Sequence, residues 1–263
     1  MTPESTFRID GKVVVVTGGV GLLGTQYTTV LSEAGAHVVV ADVDEEKCCE
    51  RADHLTKHTG RSALGIGTDV TRKASVDDMI ARTVAQFGRL DVLVNNAATK
   101  SPHFMAPFED FPVEDWNQVM AVNLTGVFLC AQAAGRQMLK QGHGVIVNVA
   151  SHYGVVGPDF RIYRGTGIST PPVYTASKAG VIGLTRYLAT YWAGKNIRVN
   201  CLTPGGVFAG HSDEFVRNYS FRVPLGRMAE REELGSAMLF LVSDASSYLN
   251  GHNLVVDGGW TAW

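Results

Sequence analysis

Short runs made almost wholly of valine and isoleucine alternate with longer stretches in which apolar residues recur every three or four positions. The first run, "KVVVVT" at 12–17, shows no polar face, so it reads as a strand covered on both sides of its sheet. Residues 22–34 follow as a helix, "HVVVAD" (37–42) as a second strand and 44–59 as a charged amphipathic helix. "SALGIGTDV" (62–70) is a third strand before a helix over 73–87, and "LDVLVNNA" (90–97) a fourth before a long helix from about 113 to 140. "GVIVNVAS" (144–151) reads as the fifth strand, Tyr174 to about Ala193 as a long helix, and "IRVNCLTP" (197–204) as the sixth strand. An irregular lid-like segment at 206–228, a helix near 230–243 and "NLVVDGG" (253–259) as the seventh strand complete the pattern.

Such strands, each separated from the next by a helix, predict an α/β fold with a parallel sheet covered on both faces. Right-handed crossovers then wind the sheet doubly, giving a seven-stranded Rossmann fold. No linker or repeat interrupts 1–263, so one domain is expected. "GPDFRIYRGTGISTPP" (157–172) belongs to no element, and a loop of that length inside a domain is usually functional.

Charge and composition narrow the partners. A net charge of −2, with lysine and arginine spread thinly, offers no footprint for nucleic acid or an anionic membrane. "MTPESTFRIDGK" has no apolar centre of the kind a secretory leader carries, and no apolar run approaches the roughly 18 residues of a membrane span. Cys48, Cys49, Cys130 and Cys201 form no CxxC, which argues against a metal site or a disulfide framework and for reduced cytoplasmic thiols.

Candidate chemistry gathers where the strands end. "TGGVGLLG" (17–24) leaves the first strand and opens a helix, and Gly19-x-Gly21-x-x-Gly24 is the dinucleotide fingerprint in its proper context. Glycines let the backbone at Gly18, Gly21 and Leu23 approach a pyrophosphate, and helix N–H groups hold its charge. Asp42 closes the second strand, where a carboxylate accepts from the ribose 2′-OH of NAD and repels the 2′-phosphate of NADP. No Arg or Lys in the glycine loop or at 43–46 compensates, so NAD is favoured. Asp69 and Val70 of "TDV" stand where an adenine would lie, and Asn96 and Ala97 of "NNAA" where a ribose would pass.

Two tyrosine–lysine pairs have the same spacing, Tyr174/Lys178 in "VYTASKAG" and Tyr191/Lys195 in "YWAGK". Tyr174 begins its helix beside the strand ends, whereas Tyr191 lies about 25 Å further along the same helix. The first pair is therefore the reactive one. Lys178, one turn on, places positive charge beside the phenol, and with an oxidised nicotinamide would draw its pKa from about 10 towards 7. Tyr174 then exchanges a proton with a substrate hydroxyl. Ser151, ending the fifth strand, is placed to hold the substrate oxygen. Asn123, polar inside an apolar helix, calls for a helix distortion and a water reaching Lys178.

Together "TGGVGLLG", "TDV", "NNAA", Asn123, "IVNVAS", "YTASK", "PGGV" and "VVDGG" resemble a classical short-chain dehydrogenase/reductase over essentially the whole chain. That resemblance implies a tetrad of Asn123, Ser151, Tyr174 and Lys178. It further implies a hydrogen bond from Lys178 to the nicotinamide ribose, with Pro204, Gly205 and Val207 bordering the nicotinamide, and a homotetramer built on the long helices and the last strand. Three departures stand out: Leu22 occupies a position where the family has glycine, Ala98 follows the "NNA", and Ser212 has to replace a threonine lost near Ala209.

The family does not name a substrate. Ser151 and Tyr174 lie 23 residues apart, and the surplus is the 157–172 loop with Arg161, Tyr163 and Arg164. Those side chains suit a polar or anionic small molecule such as a sugar or sugar acid; a subunit contact is the other reading. A 3-oxoacyl-thioester reductase and a non-catalytic cofactor-sensing protein are the rival functions, the first opposed by Asp42 and the second by the intact tetrad.

Overall fold

The structure, a computed structural model, describes residues 3–263; Met1 and Thr2 of the N-terminal stretch lie outside the described residues. Seven strands form one sheet: β1 (Val13–Thr17), β2 (His37–Asp42), β3 (Ala63–Gly67), β4 (Val92–Asn95), β5 (Gly144–Val149), β6 (Ile197–Pro204) and β7 (Asn253–Val256). Their order is β3-β2-β1-β4-β5-β6-β7, with every neighbouring pair parallel. The chain runs outward from β1 to β3 and then returns to the other side of β1 with β4. That reversal opens a crevice at the carboxyl ends of β1 and β4, the usual ligand position in such sheets.

The lack of alternation in "VVVV" has a direct cause. Val13 and Val15 enter one apolar core and Val14 and Val16 the other, all essentially without solvent exposure. Each buried valine contributes roughly 1.5 kcal/mol or more, so both faces of the strand stabilise the sheet. Helices α2 (Leu22–Glu33), α3 (Glu45–Thr59) and α9 (Arg231–Val242) cover one face through residues such as Leu31, Leu55 and Met238. Helices α4 (Lys73–Phe87), α6 (Val127–Gln141) and α7 (Pro172–Tyr191) cover the other through Met79, Ala134 and Leu188. A short α1 (Pro3–Phe7), α5 (Val113–Met120) and α8 (Asp213–Arg222) complete the helices.

Several expected boundaries move. The third strand stops at Gly67, because Asp69 Oδ1 accepts from the N–H and hydroxyl of Thr71 at 2.9 and 2.6 Å and turns the chain into α4. The lid-like segment is not irregular throughout: Ser212 caps α8, with its Oγ accepting from Phe215 N at 3.4 Å. The helix expected from 113 to 140 is continuous to Gln141 but passes through a π-helical stretch, Ala121–Gly126. By length and composition Val113–Gln141 is also apolar enough to cross a membrane, which corrects the reading that no such run exists. Half of its most apolar window is buried inside the protein, where Cys130, Ala134 and Met138 pack on the sheet, and that packing accounts for its hydropathy.

Candidate active site

Three strand ends and one helix start build the site. β5 delivers Ser151, which is 6% exposed and opens a single 3-10 turn, His152–Gly154, its Oγ accepting from Tyr153 N at 3.2 Å. Pro172 sits at the first position of α7, where its missing N–H costs nothing, so Tyr174 and Lys178 fall in the first two turns and on one face. Lys178 is 4% exposed and donates from Nζ to Val149 O at 2.9 Å, tying the helix to the end of β5. A cleft of about 320 Å³ contains Ser151, Tyr174 and Lys178 together with Leu23, Asn96, Pro204, Gly205 and Val207.

Asn123 stands behind this group, fully buried in the π-helical stretch. The wider helical turn frees its side chain: Oδ1 accepts from Thr99 N at 3.0 Å and Nδ2 donates to Ser177 Oγ at 3.5 Å. Ser177 Oγ in turn donates to Tyr174 O at 2.9 Å. The distortion anticipated at Asn123 is thus present, and direct hydrogen bonds lead from it through Ser177 to α7.

Burial sets the electrostatics of the pair. Burial pushes the Tyr174 phenol above its ordinary pKa, and the hydrogen bond with Ser151 offsets part of that rise. Burial also lowers Lys178 from 10.5 to about 8. Its Nζ lies 5.8 Å from the centre of the Tyr174 ring. The fall towards 7 is expected from Lys178 and an oxidised nicotinamide acting together, and in the protein alone the phenol stays raised.

The residues at the β1–α2 turn fit a dinucleotide. Gly18 has φ +64°, and a Cβ there would lie 2.8 Å from Ala97 Cα. A side chain on Gly24 would collide with the Gly18 carbonyl, so α2 packs directly on the turn. A Cβ on Gly21 would meet only Gly18 O, at 3.3 Å, and as the N-cap of α2 it supplies no side-chain acceptor to the first helical N–H groups. N–H groups left open at a helix start in this way suit a phosphate. Leu22 takes the usual glycine position without strain: it is the first residue of α2, and among the described residues only Asn196 combines a side chain with positive φ. Asp42 faces the same turn, with Oδ2 accepting from Val20 N at 3.4 Å and Oδ1 from Val43 N at 2.8 Å. Lys47, one turn into α3, gives its ammonium to Asp44 at 2.6 Å instead.

Relatives agree with this geometry. Residues 22–261 match the family described as enoyl-(acyl carrier protein) reductase. The chain is 36% identical to the D-threitol dehydrogenase of Mycolicibacterium smegmatis over 99% of its own length and 97% of that protein's. It superposes on a short-chain type dehydrogenase/reductase from Mycobacterium marinum with a TM-score of 0.89, at 34% identity and with both chains fully covered. A gluconate 5-dehydrogenase from Burkholderia cenocepacia J2315, solved in complex with NADP and tartrate, gives 0.90 at 34% identity, again with both chains fully covered. The chain belongs to the classical short-chain dehydrogenase/reductase family. This dehydrogenase is accordingly an NAD(P)-dependent oxidoreductase acting on CH–OH groups.

Not every residue singled out in the sequence reaches the cleft of the dehydrogenase. Arg161 is highly exposed and pairs with Asp159 at 2.6 Å, and Arg164 is exposed on the outer side of the loop. A larger groove of about 640 Å³ beside Arg161 and Arg222 lies away from the tetrad. Neither arginine lines the cleft that holds Ser151 and Tyr174, and Arg161 is satisfied by the adjacent carboxylate of Asp159. Ser212 is likewise engaged as the α8 cap, and His211 lines the cleft instead. Asn96 donates from Nδ2 to Thr17 O and Gly18 O at 3.1 and 3.0 Å, so its amide pins the glycine turn to β4. Val70 is buried against Gly126.

Other cleft residues escaped the sequence reading. His152, 4% exposed, donates from Nδ1 to Pro204 O at 3.3 Å and joins the ends of β5 and β6. Burial lowers it to about 4, so it is neutral at physiological pH. Tyr153, Phe215 and Tyr219 also line the cleft. Only the adjacency of "HY" to Ser151 hinted at two of them; Phe215 and Tyr219 come from α8, whose docking no local pattern announces.

Proposed function

We propose that this dehydrogenase interconverts a secondary alcohol and a ketone on a small neutral polyol, with NAD as its preferred dinucleotide. The observation that carries the reading is the lining of the cleft. About 320 Å³ is at the small end of ligand sites, and the groups around Ser151 and Tyr174 are neutral phenols and imidazoles. Lys178 is the one cation among the described residues lining it, and it is turned to Val149. Such a site suits hydroxyls better than a carboxylate, and it leaves little room for a long acyl thioester. A sugar acid is the second reading, favoured by the likeness to the gluconate 5-dehydrogenase.

Each residue then has a defined task. Ser151 Oγ holds the reacting oxygen, and Tyr174 Oη takes its proton in oxidation or returns it in reduction. Lys178 keeps a positive charge next to the phenol, and Asn123 fixes the helix that carries both through Ser177. When bound, the nicotinamide supplies the hydride acceptor or donor. Gly18, Gly21 and Leu23 would hold the pyrophosphate, Asp42 the adenosine ribose, and Asp69 and Val70 the adenine. Asn96 and Ala97 would lie under the nicotinamide-side ribose, with Pro204, Gly205 and Val207 against the nicotinamide. The exposed aromatic pair Tyr187 and Tyr191 on α7, with Phe128 and Leu139 of α6, supports assembly into a homotetramer. Four free cysteines suit the cytoplasm.

A nicotinamide absorbance assay across threitol, xylitol, gluconate and an acyl thioester tests the substrate class. Turnover of the polyols is expected; turnover confined to the thioester would reject the reading. For the cofactor, kcat/KM with NAD should exceed that with NADP by at least about tenfold, or about 1.4 kcal/mol. Asp42→Ala should shrink the gap chiefly by weakening NAD. A wild-type preference for NADP would show that Asp42 does not meet the ribose.

A further inference from the structure

The 157–172 loop brought two arginines and a tyrosine to notice, and the fold separates them. Tyr163 alone, among the described residues of that loop, lines the cleft that holds Ser151 and Tyr174. Its Oη lies 2.7 Å from Oη of Tyr153, two residues beyond Ser151 and 6% exposed. Tyr153 is itself held firmly. The turn that carries it is closed by Gly154 N donating to Ser151 O at 2.8 Å. It also presses so closely on α7 that a Cβ on Gly154 would lie 2.7 Å from the Lys178 carbonyl carbon.

Tyr163 is fixed from the other side by α8. Its ring stacks on Phe215 with centroids 5.7 Å apart and planes inclined by 25°. Asn218 donates from Nδ2 to Ile162 O and Arg164 O at 3.1 and 3.4 Å, bracketing the tyrosine's backbone. Burial keeps the phenols of both Tyr153 and Tyr163 above their ordinary pKa, so both remain protonated. One O–H spans the two neutral phenols and Thr170 hydrogen-bonds the Tyr163 oxygen, which leaves the second O–H and further lone pairs for a ligand. A hydroxyl can both donate to and accept from such a pair, whereas a carboxylate can only accept.

We propose that the Tyr153–Tyr163 pair recognises a second hydroxyl on the carbon next to the one that reacts, so that the dehydrogenase selects vicinal diols over isolated alcohols. The proposal rests on the polyol reading and names the residues that enforce it. Ser151 and Tyr174 would fix the reacting oxygen, and the phenol pair, lining the same cleft, would take the hydroxyl of the neighbouring carbon. Tyr163 is thus a specificity determinant delivered by the long loop, and Tyr153 is its anchor.

The test compares 2,3-butanediol with 2-butanol, which share a skeleton and differ by the adjacent hydroxyl, using the purified full-length enzyme. Wild type should favour the diol. Tyr163→Phe keeps the ring on Phe215 and removes only the hydroxyl. It should lower kcat/KM for the diol roughly tenfold to a hundredfold, mainly through KM. With 2-butanol, kcat/KM should stay within about twofold, as should the Kd for the dinucleotide read by fluorescence. Tyr153→Phe should show the same selective loss, because it leaves the Tyr163 hydroxyl unheld. A loop role that is structural only would depress both alcohols together; that result, or an unchanged diol KM in both variants, overturns the proposal while leaving the polyol reading intact. Wild-type turnover of 2-butanol but of no vicinal diol would overturn both.

Discussion

Tyr174→Phe will lower kcat by about 10²–10⁴-fold, the range for losing a positioned acid–base group, while dinucleotide affinity stays within about twofold. The phenol is the hydroxyl on α7 proposed to carry the proton, and its ring, edge-on to Phe104 with centroids 6.4 Å apart, survives the substitution. The glycine turn proposed to hold the phosphates lies between β1 and α2 and is untouched. Tyr191→Phe is the matched control, since the same spacing to a lysine recurs there. Tyr191 is the last residue of α7, well exposed and stacked on Tyr187 at 5.6 Å, so its loss should leave kcat within about threefold. Steady-state kinetics of both variants with one substrate decides the matter; comparable losses would mean that the helix start is not the reactive end. A pH–rate profile adds an independent reading. With the phenol raised by burial in the protein alone, the wild-type profile should show a basic limb that Tyr174→Phe removes.

Strand positions were legible because valine runs such as 13–16 admit no amphipathic helix, and because helix stops such as Gly60, Gly88 and Gly142 adopt the left-handed backbone that ends α3, α4 and α6. The gathering of Ser151, Tyr174 and Lys178 in one cleft was legible for a similar reason: a tyrosine and a lysine one turn apart at a helix start, after a strand ending in serine, leave few geometries open. Side chains whose role depends on docking were not. Arg161 and Tyr163 are two residues apart in one loop, and no local pattern says that one pairs with Asp159 in solvent while the other turns inward to Tyr153. The deciding contacts come from Phe215 and Asn218 on α8, more than fifty residues away in the chain. The π-helical stretch at Ala121–Gly126 was betrayed only by Asn123, a polar residue with no place in a regular apolar helix. Burial likewise sets the electrostatics, and no spacing in the sequence announces that it lowers Lys178 to about 8.

Lys178→Met should separate activity from stability. A lysine held at about 8 in the folded state and at 10.5 in the unfolded chain costs folding roughly 3 kcal/mol at neutral pH. The sign follows from proton binding. The unfolded chain takes up the proton as pH falls through 10.5, but the folded protein does so only below about 8, so stability declines across that window and is level beneath it. Methionine has similar length and no charge to desolvate. It does leave Val149 O without the donor it now has at 2.9 Å, which returns about 1–2 kcal/mol of the gain. The variant should therefore be more stable than wild type by about 1–2 kcal/mol at pH 7, a rise in Tm of roughly 3–6 °C. That advantage should shrink as pH rises from 8 towards 10.5, where the wild-type lysine loses its charge in both states. Activity should fall by at least about 10²-fold over the same range, because Tyr174 loses the charge that stabilises its phenolate. Thermal melts of both proteins at a series of pH values, read beside kcat, test the two halves together. A variant less stable than wild type at pH 7, with a difference that does not change with pH, would show that Lys178 is held there without cost and that its charge is not the reason for its burial.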